Sequence, residues 1–196
     1  MPNIWLTGAG VAFSCGLNAT LPLLILALAD RITSHIELQD PFDFLSSNAG
    51  LFILMLILPI ELIADKLPQI DSINDLLHST LRPAAGAIAF MAIGSQESGT
   101  SAWITGFLGL AIAAVVHAWK MRTRPAITGA TRGLGNPYAS LVEDTIAVTV
   151  TIVSLVSGWL ALLAIPLGVA WLGRVYSRIV AGKSRFIRLF SPRSPT

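Results

Sequence analysis

The sequence predicts an all-helical membrane bundle of about six spans, one of them short or broken, with an amphipathic helix near residues 70–82. Three observations carry that prediction. Of the 196 residues, 54% are hydrophobic and only 12% charged, against about 25% charged in an ordinary soluble domain; mean hydropathy is +0.70. Several apolar runs approach the roughly 20 residues that cross a hydrocarbon core about 30 Å thick. The cations gather in alternate connecting segments, as they do where positive loops resist translocation.

The first run, Ile4–Ala29, ends on Ala27-Leu28-Ala29, which has the small residues of a cleavage site. No Lys or Arg precedes it and it outruns a signal-peptide core, so a retained helix is expected. The missing cationic prelude also argues against reading Ala12-Phe13-Ser14-Cys15 as a lipoprotein signal. Asn18 lies inside this run with Pro22 four residues on, which suits an interhelical hydrogen bond or a solute contact at a proline-disturbed helix. The second run, Asn48–Ala64, closes on Glu61 and Asp65 at i and i+4. The amphipathic segment follows. Asp71, Asp75, His78 and Arg82 share one helical stripe and Ile70, Ile73, Leu77 and Leu81 the other. That stripe reads equally as the wet face of an interfacial helix and as part of a site.

The third run, Pro83–Gly94, is too short to span alone, so either the amphipathic helix extends it or it is half of a broken element. The fourth, Ala102–Trp119, ends among His117, Lys120 and Arg124 at i, i+3 and i+7. The fifth, Tyr138–Val156, begins among Asn136, Ser140, Glu143 and Asp144, again on one face. Only Ser157-Gly158 separates it from the sixth, Trp159–Val175. Residues 1–176 then form one transmembrane domain and 177–196 a basic cytoplasmic tail. Breaks are expected at Asp40-Pro41, Leu67-Pro68, Arg82-Pro83, Arg124-Pro125, Asn136-Pro137 and Ser157-Gly158.

With an even number of spans and the N-terminus inside, twelve of the 13 Lys and Arg residues fall on the inner side and only Arg31 outside. Both termini are then cytoplasmic. The same topology gathers Glu61, Asp65, Asp75, His78, Arg82, His117, Lys120, Arg124, Glu143 and Asp144 near one membrane face. Ionisable groups at membrane depth are costly unless they face protein or water, which makes them functional candidates by default. The expected arrangement is a cytoplasm-facing polar cleft lined by Glu61, Asp65, Glu143 and Asp144 and closed by Arg82, Lys120 and Arg124, with Asn18 and Asn136 as further polar contacts.

Other chemistries are poorly supplied. A single cysteine, Cys15, rules out an internal disulfide and a cysteine zinc cluster. There is no nucleophile elbow, no HExxH and no phosphate-binding glycine loop after a strand. No cofactor is expected, although carboxylates and His at helical spacing leave a divalent cation open. The expected partners are the lipid bilayer and a small ion or solute. Nucleic acid is not expected, because the basic residues sit in loops rather than on a folded surface. A homo-oligomer fits, since six short helices enclose little volume.

The order of motifs is distinctive. Gly16-Leu17-Asn18-Ala19 with Leu21-Pro22-Leu23 is followed by Glu61-Leu62-Ile63-Ala64-Asp65-Lys66-Leu67-Pro68 and Asp71-Ser72. Then come His78, Arg82-Pro83-Ala84-Ala85-Gly86-Ala87, His117 with Lys120, and Ser140-Leu141-Val142-Glu143-Asp144. This series resembles the integral-membrane family catalogued as domain of unknown function 4126, from about Gly16 to Pro166. The resemblance implies a small bacterial multi-spanning protein of the inner membrane and names no activity. Together with the polar positions, it leads to the expectation of a small transporter or channel-like carrier for a cation or proton. The alternatives are a non-catalytic membrane scaffold and a metal-dependent intramembrane enzyme acting on a lipid headgroup.

Overall fold

The computed structural model describes residues 3–65, 71–96 and 99–181, with side chains in 71–78 left aside. Within them the chain forms seven α-helices: α1 (Ile4–Leu17), α2 (Thr20–Ile32), α3 (Asn48–Ala64), α4 (Asp71–Gly94), α5 (Ala102–Thr131), α6 (Asn136–Val156) and α7 (Gly158–Ala181). A short 3-10 turn, Phe42–Ser46, precedes α3. The protein is a membrane helix bundle. Helices α5, α6 and α7 are long and apolar enough to cross a bilayer, while α1 and α3 are apolar but shorter. Its polarity is inside out: Arg82 and Lys120 are 0% exposed, whereas Trp103 is 90% and Leu167 66% exposed. In a bilayer that distribution is favourable, because the apolar surface meets lipid and the charges meet each other.

Three expectations need correction. The first run is two helices, parted at Asn18-Ala19. The cause is Pro22. In a continuous helix its ring would collide with the Asn18 carbonyl and it would have no N–H to give. As the third residue of α2, where an N–H needs no helical partner, it fits. The other two corrections are at Arg82-Pro83 and Arg124-Pro125, where no break occurs. Helices α4 and α5 run straight through Pro83 and Pro125, as transmembrane helices do when neighbours support the interrupted turn. The amphipathic segment and the third run are therefore one helix, α4. The breaks at Asn136-Pro137 and Ser157-Gly158 are present, and Leu67-Pro68 lies outside the described residues.

Helices α1 and α2 form a re-entrant V. A Cβ at Gly10 would meet Ser154 near the end of α6, and the Asn18 side chain reaches Asp144 in its first half. Helix α2 then climbs back, so Ile25 and Leu28 lie beside Ile152 and Leu155. At 1.5 Å per residue each arm is about 20 Å long, short of a full crossing. Asp144 is about 12 Å from the start of α6 and about 18 Å from its end, so the apex of the V sits within the span. Because α7 runs parallel to α1, from Gly158 beside Thr7 to Tyr176 beside Glu143, the described ends of the chain lie at opposite ends of the bundle. The expectation of both termini on one side took the first run as a single span, whereas the described chain has two helices there. One end of the bundle carries the α5–α6 turn and the end of α7. This cationic end also has the exposed Arg122, Arg132, Arg174 and Arg178, while Arg31 lies at the other end beside Asn48.

Candidate functional site

The apex of the V lies in a buried knot of charge to which all seven helices contribute directly. Splitting a helix exposes two sets of backbone groups, the last carbonyls of one half and the first N–H groups of the next. Both are met here by side chains of opposite charge. The Lys120 ammonium on α5 donates to the Leu17 carbonyl at 3.2 Å. Glu61 on α3 accepts from the Ala19 and Thr20 amides at 2.9 and 3.0 Å. A cation at a helix C-terminus and an anion at an N-terminus each follow the helix dipole. Asn18 completes the cap: its Oδ1 accepts from the Thr20 and Leu21 amides while its Nδ2 donates to Asp144 Oδ1 at 3.1 Å.

Around this apex the carboxylates and cations pair directly. Lys120 Nζ also reaches Asp65 Oδ2 at 2.7 Å and Glu143 Oε2 at 2.9 Å, so its three donors have three acceptors. The Arg82 guanidinium on α4 forks onto both Asp65 oxygens at 2.9 and 3.1 Å and lies 3.5 Å from Glu61. Its other terminal nitrogen is 3.2 Å from Nδ1 of His117. Since arginine only donates, that ring nitrogen is an acceptor and His117 is neutral in this arrangement. Arg124 grips Glu143 through two nitrogens, with Nε to Oε1 at 3.2 Å, and its remaining arm donates to the Asp65 backbone carbonyl at 3.3 Å. Tyr176 on α7 donates its hydroxyl to Glu143 Oε1. Glu61, Asp65, Arg82, His117, Lys120, Arg124, Glu143 and Asp144 are all buried, none more than 8% exposed.

Nine of the residues singled out from sequence therefore converge: these eight and Asn18. Asn136 does not join the apex in this way. It sits at the α5–α6 turn, about 10 Å along the helix from Glu143, where its Oδ1 accepts from the Thr128 hydroxyl at 3.0 Å. The side chains of Asp75 and His78 lie outside the described residues. The expected open cleft is also not how these groups are arranged: carboxylates and cations meet each other in contact, and the knot is closed. Tyr176 was not anticipated. A tyrosine near the end of a last span reads as an interfacial anchor, but the stripe Ala161, Gly168, Leu172, Tyr176 is the buried face of α7, and that phase was visible in the sequence. Among the described residues no group of three or more His, Cys, Asp or Glu is placed to hold a metal ion.

A family model described as a domain of unknown function (DUF4126) matches residues 5–178. The chain belongs to that family. The DUF4126 match covers both arms of the V, the knot and nearly all of α7. No curated protein and no solved structure matches the chain.

Proposed function

We propose that this DUF4126 protein is a small membrane carrier in which the knot at the apex of the V binds a proton or a small cation, with the cationic end of the bundle toward the cytoplasm. The observation that carries this reading is the broken helix. Discontinuous helices whose ends point at charged groups near mid-membrane are the usual construction of ion and solute sites in secondary transporters. Here Glu61 occupies the N–H groups of α2 that would otherwise suit a transported anion, and Lys120 the carbonyl end of α1. Neutralising Glu61 weakens its hold on those amides and leaves Arg82 and Lys120 to repartition between Asp65 and Glu143. In this reading the closed arrangement is the occluded state, and proton or cation binding shifts it toward one open to either side. The cation bias supports the orientation, with the N-terminal residues on the far side. No feature of the knot supports the metal-dependent lipid enzyme, because its carboxylates already face cations.

Reconstitution into liposomes carrying an internal pH-sensitive dye tests the reading. Wild-type protein should carry protons or a monovalent cation under an imposed potential, and Glu61→Gln or Glu143→Gln should lower the rate at least tenfold. Unchanged flux in both variants would contradict it. The complete use of the Lys120 donors favours a second reading, a fixed knot that only holds the helices together. There loss of Lys120 lowers stability, and no solute moves through the wild-type protein.

A further inference from the structure

The buried cations Arg82, Lys120 and Arg124 are each held by a carboxylate. Arg174 and Arg178 are not. Both are exposed on α7, one turn apart, and among the described residues neither pairs with a carboxylate. Helix α7 covers about 24 Å from Gly158 to Arg174 and about 30 Å to Arg178. A hydrocarbon core about 30 Å thick therefore ends near Arg178 and leaves Arg174 a turn inside it. A cation facing lipid at that level is costly unless an anion meets it.

The side of α7 that carries these arginines is hollow. A groove of about 560 Å³ lies between α6 and α7, with Leu160, Trp171 and Arg174 on one wall and Thr149 and Val153 on the other. Gly168 is its floor: a Cβ there would fall 3.0 Å from Ile146 and 3.7 Å from Val150, so the two helices meet along that line. A second hollow of about 510 Å³ follows toward the cationic end, with Tyr138 and Val142 on α6 and Arg178 on α7. Val142, Thr149 and Val153 share one stripe of α6, and Trp171, Arg174 and Arg178 one stripe of α7, so the two hollows follow one seam. From Leu160 to Arg174 the groove is about 21 Å long, more than the roughly 15 Å of hydrocarbon in one leaflet. Trp171 and Tyr138 flank the arginines, at the level where amphipathic rings meet headgroups. By contrast, a hollow of about 660 Å³ beside Ile25, Leu28 and Leu155 has neither lysine nor arginine among its described lining residues.

We propose that the α6–α7 groove binds one anionic glycerophospholipid from the leaflet at the cationic end. An acyl chain lies along the groove between Leu160 and Trp171, and the phosphate sits at its mouth with Arg174 and Arg178. Arginine suits that place, because its planar fork can donate twice to phosphate oxygens. The lipid anion offsets the cost of holding Arg174 below the interface. A zwitterionic lipid has the same chains but brings its own ammonium to the phosphate, so it gains less from the two arginines. The site does not depend on whether the knot carries ions.

Native mass spectrometry of the protein in a neutral detergent, titrated with phosphatidylglycerol or with phosphatidylcholine of equal chain length, tests the site. One phosphatidylglycerol per chain should be retained at a concentration about tenfold below that needed for phosphatidylcholine. The Arg174→Gln, Arg178→Gln variant should lose that preference. Arg174→Lys with Arg178→Lys should keep most of it, which separates charge pairing from a change of fold. Thr149→Phe, at an exposed position, should weaken both lipids by placing its ring in the groove; unweakened binding there would put the lipid elsewhere and overturn the proposal. Equal affinity for the two lipids in the wild type would also overturn it, as would an undiminished preference in the Arg174→Gln, Arg178→Gln variant. A dimer that Thr149→Phe disrupts, with no lipid retained, would assign the groove to a second copy of the chain and overturn it equally.

Discussion

Two regions hold this bundle together by opposite means. In the half opposite the cations, α4 and α5 touch backbone to backbone: a Cβ at Gly109 would fall 2.2 Å from the Gly86 carbonyl oxygen, and one at Gly86 would fall 2.6 Å from that of Gly109. No charge is present at that contact, and close van der Waals approach between small residues is the whole attraction. At the knot long charged side chains join the helices by pairing with one another. The small-residue contact fails when an atom is added. The knot fails when one is taken away, because a buried charge left without its partner is far more costly than a lost contact.

That contrast sets the order of expected effects. Lys120→Met should be the most damaging single change, since it removes the cation that Asp65 and Glu143 share and the donor on the Leu17 carbonyl at once; a loss of about 3–5 kcal/mol is expected in unfolding titrations in mixed micelles. Gly109→Ala comes next. Its methyl meets the α4 backbone rather than a mobile side chain, and overpacking of this kind costs about 1–3 kcal/mol. A Gly109→Ala variant of wild-type stability would mean the contact is looser than described. Asn18→Ala removes the α2 cap and the Asp144 contact, and should cost about 1 kcal/mol. Thr145→Val, on the outward face of α6, should change stability by less than about 0.5 kcal/mol and marks the baseline.

The knot was more legible in the sequence than the path of the chain that builds it. Glu61, Asp65, Arg82, Lys120, Arg124, Glu143 and Asp144 stand out because ionisable residues beside apolar runs are conspicuous, and buried charges of both signs must find one another. The turn at Asn18-Ala19 was hidden in 26 residues that read as a single span. Proline alone did not reveal it, since Pro59, Pro83, Pro125 and Pro166 all lie inside continuous helices. What differs at Pro22 is the residue four positions back. Asn18 has a side chain able to cap the new helix, and Glu61, 43 residues later in the chain, supplies the second acceptor. The first signal is local; the second exists only once α3 is in place. The closed state of the knot was illegible for a related reason, because helical phase brings charges to one level without saying whether they face a cleft or each other.

The re-entrant V is the claim on which the site and the orientation both depend, and a side-specific labelling experiment tests it directly. In sealed, oriented vesicles of a Cys15→Ala background, an impermeant thiol reagent would be applied to His35→Cys, to Arg178→Cys and to a cysteine-containing tag ahead of residue 1. The V predicts that the tag and position 35 label from the same side and position 178 from the other. Labelling of the tag together with position 178, and of position 35 alone from the opposite side, would mean that α1 and α2 cross as one span.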